Sequence, residues 1–303
     1  MEPQTRISFY DQIARNKRKS VFLIIIIFFV LIAVGAVIGL ALGPDYFLII
    51  VILSIIISLA YVWIGYYSSD KIALASVNAK KADPRLYHQL YNSVESMSLA
   101  SGLPMPQVYI MENSQINAFA TGRDPKHAVI CVTTGALNKL DKQELEGVIA
   151  HEMSHIANFD IRFMTLVTVL VGMIAIISEI FLRSLWFRSS NNNRENSNAI
   201  FLVIGIVLAI LAPIVVQLVQ LAISRKREYT ADATAVKFTR TPTGLIQALK
   251  KIGSESESSA QKQNISKAMA PLFISNPFKK ENVESLLSTH PPLSKRISIL
   301  ERM

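Results

Sequence analysis

The sequence predicts a mainly α-helical integral membrane protein whose water-soluble part carries a small β-sheet. Of its residues, 51% are hydrophobic and only 17% are charged, whereas soluble proteins carry roughly 25% charged residues. Long apolar runs account for this excess, and each comes close to the ~20 residues that a helix needs to cross a bilayer. These runs cover residues 21–42, 46–66, 161–182 and 199–223. The segments between and after them are polar and show short strand and helix patterns.

The first two runs predict a transmembrane hairpin over residues 21–67. Gly43-Pro44-Asp45 breaks the apolar pattern and predicts a tight turn. Residues 1–20 form a basic tail ahead of this hairpin, which we expect in the cytoplasm. The last two runs predict a second transmembrane pair over residues 161–223.

Basic residues near the ends of the runs predict the orientation, because such residues collect on the cytoplasmic side. The tail is basic, the first hairpin turn has no basic residue, and Arg225-Lys226-Arg227 follows the fourth run. Four spans therefore place the tail and both soluble segments in the cytoplasm. The loop 183–198 carries arginine residues on the supposed outer side, so two spans plus a buried helical hairpin is the alternative.

The net charge of +9 favours an anionic membrane surface over nucleic acid as a partner. The basic residues flank the apolar runs, and the sequence has no basic stripe interleaved with aromatic residues. We therefore expect the lipid bilayer as a partner and no nucleic acid. Cys131 is the single cysteine, so no intramolecular disulfide forms, and its apolar neighbours predict a small core residue.

The soluble part is expected in two pieces, residues 68–160 and 224–303. Runs of β-branched and apolar residues bounded by turn residues predict its small sheet. The predicted strands lie near residues 108–111, 116–120 and 127–133.

Two helices are predicted in the first piece. Asp83-Pro84 predicts the start of one, with Asp as the N-cap, and Gly102 predicts its end. Asp141 caps the second, with Glu144 in the position of a capping box.

The second helix carries the pattern H-E-x-x-H as His151-Glu152-Met153-Ser154-His155. Positions i and i+4 share a helix face, so the two imidazoles can hold one zinc ion while Glu152 reaches a water molecule beside it. Chance gives this pattern on the order of a few times per thousand chains of this length. The motif therefore predicts a hydrolytic zinc site.

A catalytic zinc site needs a third protein ligand, and Glu228 is the candidate. Asp232 is one helical turn further on and could accept a hydrogen bond from a ligand histidine. Alternatively, Glu228 pairs with Arg225 or Arg227 as part of a charged cap next to the membrane. Spacing alone leaves both interpretations open.

Together these segments resemble the HtpX family of membrane metalloproteases, which are relatives of the CAAX prenyl proteases. The resemblance covers nearly the whole chain, including the N-terminal hairpin, and implies a zincin-like catalytic domain facing the cytoplasm. Besides H-E-x-x-H, it rests on Glu228-Tyr229-Thr230-Ala231-Asp232, Asn117-Ala118-Phe119-Ala120 and Thr289-His290-Pro291-Pro292-Leu293.

The resemblance implies roles for individual residues. One Zn²⁺ per chain would be held by His151, His155 and Glu228, with Glu152 as the general base. His290 resembles a family residue near the site, although it could instead simply precede a helix that opens at the following prolines. Arg296 is a second, supporting candidate.

The resemblance also implies an endopeptidase of the bacterial inner membrane that cleaves misfolded or damaged membrane proteins in a stress response. Unfolded polypeptides would be substrates too. A prenyl-protein-type protease and a non-enzymatic membrane metal-binding protein are the alternatives. A metal transporter would place its ligands inside the spans, whereas the histidine pair lies outside them.

The segment Asn117-Ala118-Phe119-Ala120 is expected to form an edge strand beside the H-E-x-x-H helix. Such an edge can bind an extended peptide through main-chain hydrogen bonds, which gives broad specificity. The same residues would also suit an ordinary hairpin strand that binds no peptide.

Overall fold

The structure, a computed structural model, describes residues 9–167, 205, 225–258, 272–274 and 291–303. Helices dominate it, as the composition predicts. The α-helices are α1 (Phe9–Leu42), α2 (Pro44–Tyr67), α3 (Ser69–Ser76), α4 (His88–Ser101), α5 (Thr134–Lys139), α6 (Lys142–Ala157), α7 (described over 160–167), α8 (Arg225–Thr239), α9 (Thr243–Ser258) and α10 (Leu293–Leu300). The strands are β1 (Lys80–Lys81), β2 (Gln107–Met111), β3 (Ala118–Gly122) and β4 (Ala128–Thr133).

Helices α1 and α2 form the predicted hairpin, and the chain reverses at Gly43. This glycine has a φ of 116°, a conformation that residues with a side chain rarely adopt. Within the described residues, Asn16–Ala36 and Pro44–Tyr67 are long and apolar enough to cross a membrane. The expected second pair, 161–223, lies almost wholly outside the described residues.

The described part of the expected tail is helical rather than a separate segment. Helix α1 is described from Phe9 onward, and residues 9–20 continue directly into the first candidate span. One face of the N-terminal half of α1 is buried, at Asn16, Ser20, Leu23 and Ile27. These positions are spaced by three or four residues and therefore lie on one side of the helix.

The sheet is mixed, with the strand order β1-β2-β4-β3. Strands β2 and β4 run parallel, while β3 and β4 are antiparallel neighbours, which leaves β3 at the edge. Side chains alternate between the two faces. Ala118, Ala120 and Ile130 enter the main core with α6, whereas Phe119 and Cys131 enter a second core with α3.

Helix α6 carries the H-E-x-x-H pattern through the centre of the main core. Asp141 and Glu144 form the predicted capping box at its start. A Cβ atom on Gly147 would lie 2.5 Å from the backbone nitrogen of Leu245 in α9. Glycine is therefore needed where α6 and α9 cross.

The helix predicted from Asp83 begins later, at His88. The Asp83 carboxylate accepts a hydrogen bond from the Arg85 N–H at 2.8 Å, so Asp83 organises an isolated turn before α4. The predicted end at Gly102 is confirmed by its left-handed backbone conformation.

Candidate metal centre

Two helices that are distant in sequence bring three potential metal ligands together. His151 and His155 lie one turn apart on α6, and Glu228 lies in the first turn of α8. One ligand atom from each residue lies within 4.8 Å of the others, and all three residues are buried.

The spacing of these atoms suits a tetrahedral ion. The Nε2 atoms of His151 and His155 are 3.3 Å apart. Glu228 carboxylate oxygens lie 3.6 Å from His151 Nε2 and 3.7 Å from His155 Nε2. Zinc bonds of about 2.0–2.1 Å in tetrahedral geometry require ligand separations of about 3.3–3.4 Å. The three groups are therefore spaced so that they could hold a zinc ion.

Asp232 and Arg296 support His151 from the side opposite the ligand cluster. Asp232 Oδ1 lies 3.0 Å from His151 Nδ1, which fixes the ring so that Nε2 faces the cluster. Arg296 holds both Asp232 oxygens, with Nε–Oδ2 at 2.8 Å and Nη2–Oδ1 at 2.7 Å. The Arg296 side chain is fully buried. The structure thus places Asp232 and Arg296 beside His151, and their predicted supporting roles stay predictions.

The charged groups around His151 shift the pKa values of His151 and of Asp232. Burial and the Arg296 charge lower the pKa of His151, but hydrogen bonds to Asp232 and Glu228 outweigh them and raise it to about 9. Burial raises the pKa of Asp232, but Arg296 and the hydrogen bond to His151 lower it to about 2. The centre therefore favours a cation between its carboxylates.

Asp160 supports the second histidine, and the sequence analysis did not identify it. Its Oδ2 lies 3.1 Å from His155 Nδ1, while its Oδ1 lies 3.2 Å from Arg227 Nε. Each potential histidine ligand thus has a buried carboxylate at Nδ1, as is usual around protein-bound zinc. The available signal was an aspartate five residues after His155.

Glu152 lies between the ligand cluster and the sheet edge. Burial raises the pKa of Glu152, and this effect exceeds the opposing influences of His151, His155 and the Ala120 backbone N–H. A buried carboxylate with a raised pKa can both accept and return a proton near neutral pH.

The predicted peptide-binding segment forms the edge of the sheet, but that edge already has a neighbour. Asn117 precedes β3, and its Oδ1 accepts a hydrogen bond from the Ala118 N–H. The Ala118 carbonyl accepts one from the Ile274 N–H at 3.0 Å. Phe273 forms an antiparallel bridge with Phe119, and their rings make an edge-to-face contact.

The segment 272–274 also contacts the metal centre. The Ile274 carbonyl lies 3.3 Å from Arg296 Nη1. It therefore joins the edge strand to the buried arginine behind His151. His290, the other predicted catalytic residue, lies outside the described residues.

Comparisons with known proteins identify the family of this chain. The profile of peptidase family M48 matches residues 84–303. A protease HtpX homolog of Caldanaerobacter subterraneus subsp. tengcongensis is 46% identical, over 99% of both chains. One of Listeria monocytogenes serotype 4a is 43% identical, over 97% of this chain and 99% of its own.

A likeness to a solved structure extends to the fold. The crystal structure of S. mikatae Ste24p matches 85% of this chain and 58% of its own, with a TM-score of 0.50 and 21% identity. That identity supports a shared fold and nothing further. The family profile and the HtpX relatives carry the assignment, and the chain belongs to peptidase family M48 as a membrane metalloprotease.

Proposed function

We propose that this protein is a zinc-dependent endopeptidase that cleaves misfolded or damaged membrane proteins at the cytoplasmic face of the bacterial inner membrane. The observation that carries the proposal is the buried triangle of His151, His155 and Glu228, whose separations suit tetrahedral zinc. Glu152, next to His151 on the same helix, supplies the base that hydrolysis needs.

The chemistry follows from the surroundings of these residues. Zinc held by the two histidines and Glu228 would polarise a water molecule and the scissile carbonyl. Glu152 accepts the proton of the attacking water and later donates it to the leaving amine. Asp232 and Asp160 hold the two imidazoles at Nδ1, so that Nε2 of each faces the other ligand groups. By resemblance, His290 is a candidate to support the charge that develops on the substrate, whereas Arg296 acts through Asp232 on His151.

A membrane substrate is supported by the position of the centre. Asn16 is the first residue of the candidate span Asn16–Ala36, and its side chain bonds to Asp160, the partner of His155. The ligand cluster is therefore only two side chains from the start of a span. Loops and unfolded ends of membrane proteins reach this level. The basic residues next to the runs support the cytoplasmic side.

Edge strand β3 would bind the backbone of an extended substrate. Ala118 and Ala120 lie on the face next to Glu152, and backbone recognition suits substrates that share no sequence. This role requires a substrate to compete with the segment 272–274 for the Ala118 carbonyl.

The first experiment compares the purified full-length protein with the Glu152→Gln variant. We expect both to bind one zinc ion per chain, and only the unmodified protein to cleave casein or an unfolded membrane protein. Glu146→Gln is the matched control, because it makes the same change on α6 at a partly exposed residue paired with Lys142.

The outcomes separate the hypotheses. Equal cleavage by Glu152→Gln would contradict the role of Glu152 as base. Zinc binding without any cleavage by the unmodified protein would favour the non-enzymatic alternative. Cleavage restricted to peptides with a lipidated C-terminus would favour a prenyl-protein-type protease.

A further inference from the structure

The first turns of α1, residues 9–20 (the stub), reach the surroundings of the metal centre. Asn16 is only 5% exposed, and its Nδ2 atom donates to the Asn158 carbonyl at 2.9 Å and to Asp160 Oδ1 at 2.6 Å. Both partners are acceptors, so the amide has to present its nitrogen, and both amide hydrogens are used.

The bond from Asn16 acts on the carboxylate that supports His155. Oδ2 of Asp160 lies 3.1 Å from His155 Nδ1, while Oδ1 receives Asn16 and Arg227. Asp160 is itself 1% exposed. With both oxygens held, the carboxylate plane is fixed, and this plane sets the direction of the His155 ring.

Asn16 also secures the turn that carries Asp160. Between α6 and α7 lies a two-residue turn, Asn158-Phe159, in which Phe159 has a left-handed φ of 57°. Such a conformation is costly for an aromatic residue and persists only where surrounding contacts impose it. The stub supplies two of these contacts, because Asn16 bonds to Asn158 and the Lys17 Nζ lies 4.3 Å from the centre of the Phe159 ring.

The remainder of this helix face is complementary to α7. Asn16 and Ser20 are polar and lie at the level of the turn, whereas Leu23 and Ile27 are apolar and pack against α7. The Ser20 hydroxyl donates to the Asn16 carbonyl within α1. Asn16, by contrast, carries a side-chain bond from α1 to the turn.

We infer that Asn16 is a positioning residue for the metal centre: through Asp160 it orients His155, and it thereby couples the first membrane helix to metal binding. The inference rests on the proposed zinc site. It assigns a role to a segment that the sequence analysis treated as a basic tail. Replacing partners in the second layer around a metal typically weakens its binding by about 10–100-fold. Asn16 lies one hydrogen bond further from the metal site than Asp160 does. We therefore expect its replacement to weaken zinc binding by about 3–10-fold.

The test measures how fast zinc passes from the detergent-purified full-length protein to a coloured chelator. Asn16→Leu keeps the size of the side chain and removes both donors, and we expect zinc to leave about 3–10 times faster. We expect kcat for casein to fall while KM changes little. Ser20→Ala is the matched control, since it removes a buried polar group on the same face without touching Asp160.

A double-mutant cycle separates positioning from general destabilisation. In an Asp160→Asn background, Asn16→Leu should change the rate of zinc loss by less than twofold. An undiminished effect in that background, or an unchanged rate in Asn16→Leu alone, would overturn the inference. If Asn16→Leu does not fold, Asn16→Ser gives the same comparison, because a hydroxymethyl group is too short to span both bonds. Zinc loss is measured without proteolysis, so absence of cleavage would count against the proposed function alone.

Discussion

Replacing Arg296 by methionine should destabilise the zinc-free protein strongly. Arg296 is fully buried, and its guanidinium holds both oxygens of Asp232, which is 1% exposed. Its Nη1 atom also lies 3.8 Å from a Glu228 oxygen. Methionine keeps the apolar stem but leaves these carboxylates without that charge. Removing one partner of a buried ion pair costs about 3–5 kcal/mol.

This cost corresponds to a readily measured change in Tm. For a domain of roughly this size, each kcal/mol shifts Tm by about 2–4 °C, so we expect a decrease of about 6–20 °C. Thermal unfolding of the zinc-free protein in detergent gives the value. Lys295→Met is the matched control, because Lys295 is the exposed neighbour on the same helix, and its Tm should stay near that of the unmodified protein.

The double variant Arg296→Met/Asp232→Leu tests the cause of the loss. Removing both partners takes away the buried carboxylate that the single variant leaves behind, so much of the lost stability should return. The reasoning would be refuted if Arg296→Met melted within about 2 °C of Lys295→Met, or if the double variant were less stable than the single one by the full cost of a second broken interaction.

The Arg296–Asp232 ion pair also predicts how the Tm difference between the unmodified protein and Arg296→Met depends on pH. Burial raises the pKa of Asp232, but Arg296 and His151 lower it to about 2, below its value in the unfolded chain. Its contribution to stability is therefore present above about pH 4 and is lost as pH falls towards 2. We expect the Tm difference between unmodified protein and Arg296→Met to be largest near neutral pH and to shrink below about pH 4.

Three further predictions concern the metal and the sheet edge. Asp160→Asn should weaken zinc binding by about 10–100-fold in a chelator competition, and an unchanged affinity would remove Asp160 from the centre. Because hydrogen bonds to the carboxylates of Asp232 and Glu228 raise the pKa of His151 to about 9 against burial and the Arg296 charge, a proton competes with zinc. Affinity should thus rise by about tenfold per pH unit between pH 7 and 9, and a flat profile would contradict this. Finally, a peptide bound to zinc-loaded Glu152→Gln should speed hydrogen exchange at the Ile274 amide; continued protection would mean that peptides bind elsewhere.

Local patterns predicted the parts of the site that one helix contains. The capping box of Asp141 and Glu144 and the i, i+4 spacing of the histidines depend on residues a few positions apart. Helical geometry alone then places both imidazoles on one face. The pairing of Glu228 with this face was left open by spacing and needed the packing of α8 on α6 to resolve.

Contacts between distant segments could not be predicted in this way. Asp160 reaches His155 through the turn at Phe159, and no glycine signals that left-handed turn. Asn16 reaches Asp160 from 144 residues away. In the sequence, Asn16 is one polar residue in a basic stretch, and its burial follows from the docking of α1 on α7.

The segment 272–274 on edge strand β3 is linked to the buried metal centre. His151, Glu152 and Glu228 are between 1% and 3% exposed, so a substrate reaches them only after neighbouring groups move. The segment 272–274 bonds to the edge through Ala118 and to the centre through Arg296. A substrate backbone on the same edge needs the Ala118 carbonyl that Ile274 now occupies. Exchange of one extended segment for another preserves the number of main-chain hydrogen bonds, so its cost lies in exposing Phe273 and Ile274. If β3 binds substrate as we propose, an unfolded chain rich in apolar residues could replace those contacts, whereas a folded protein presents no free strand to do so.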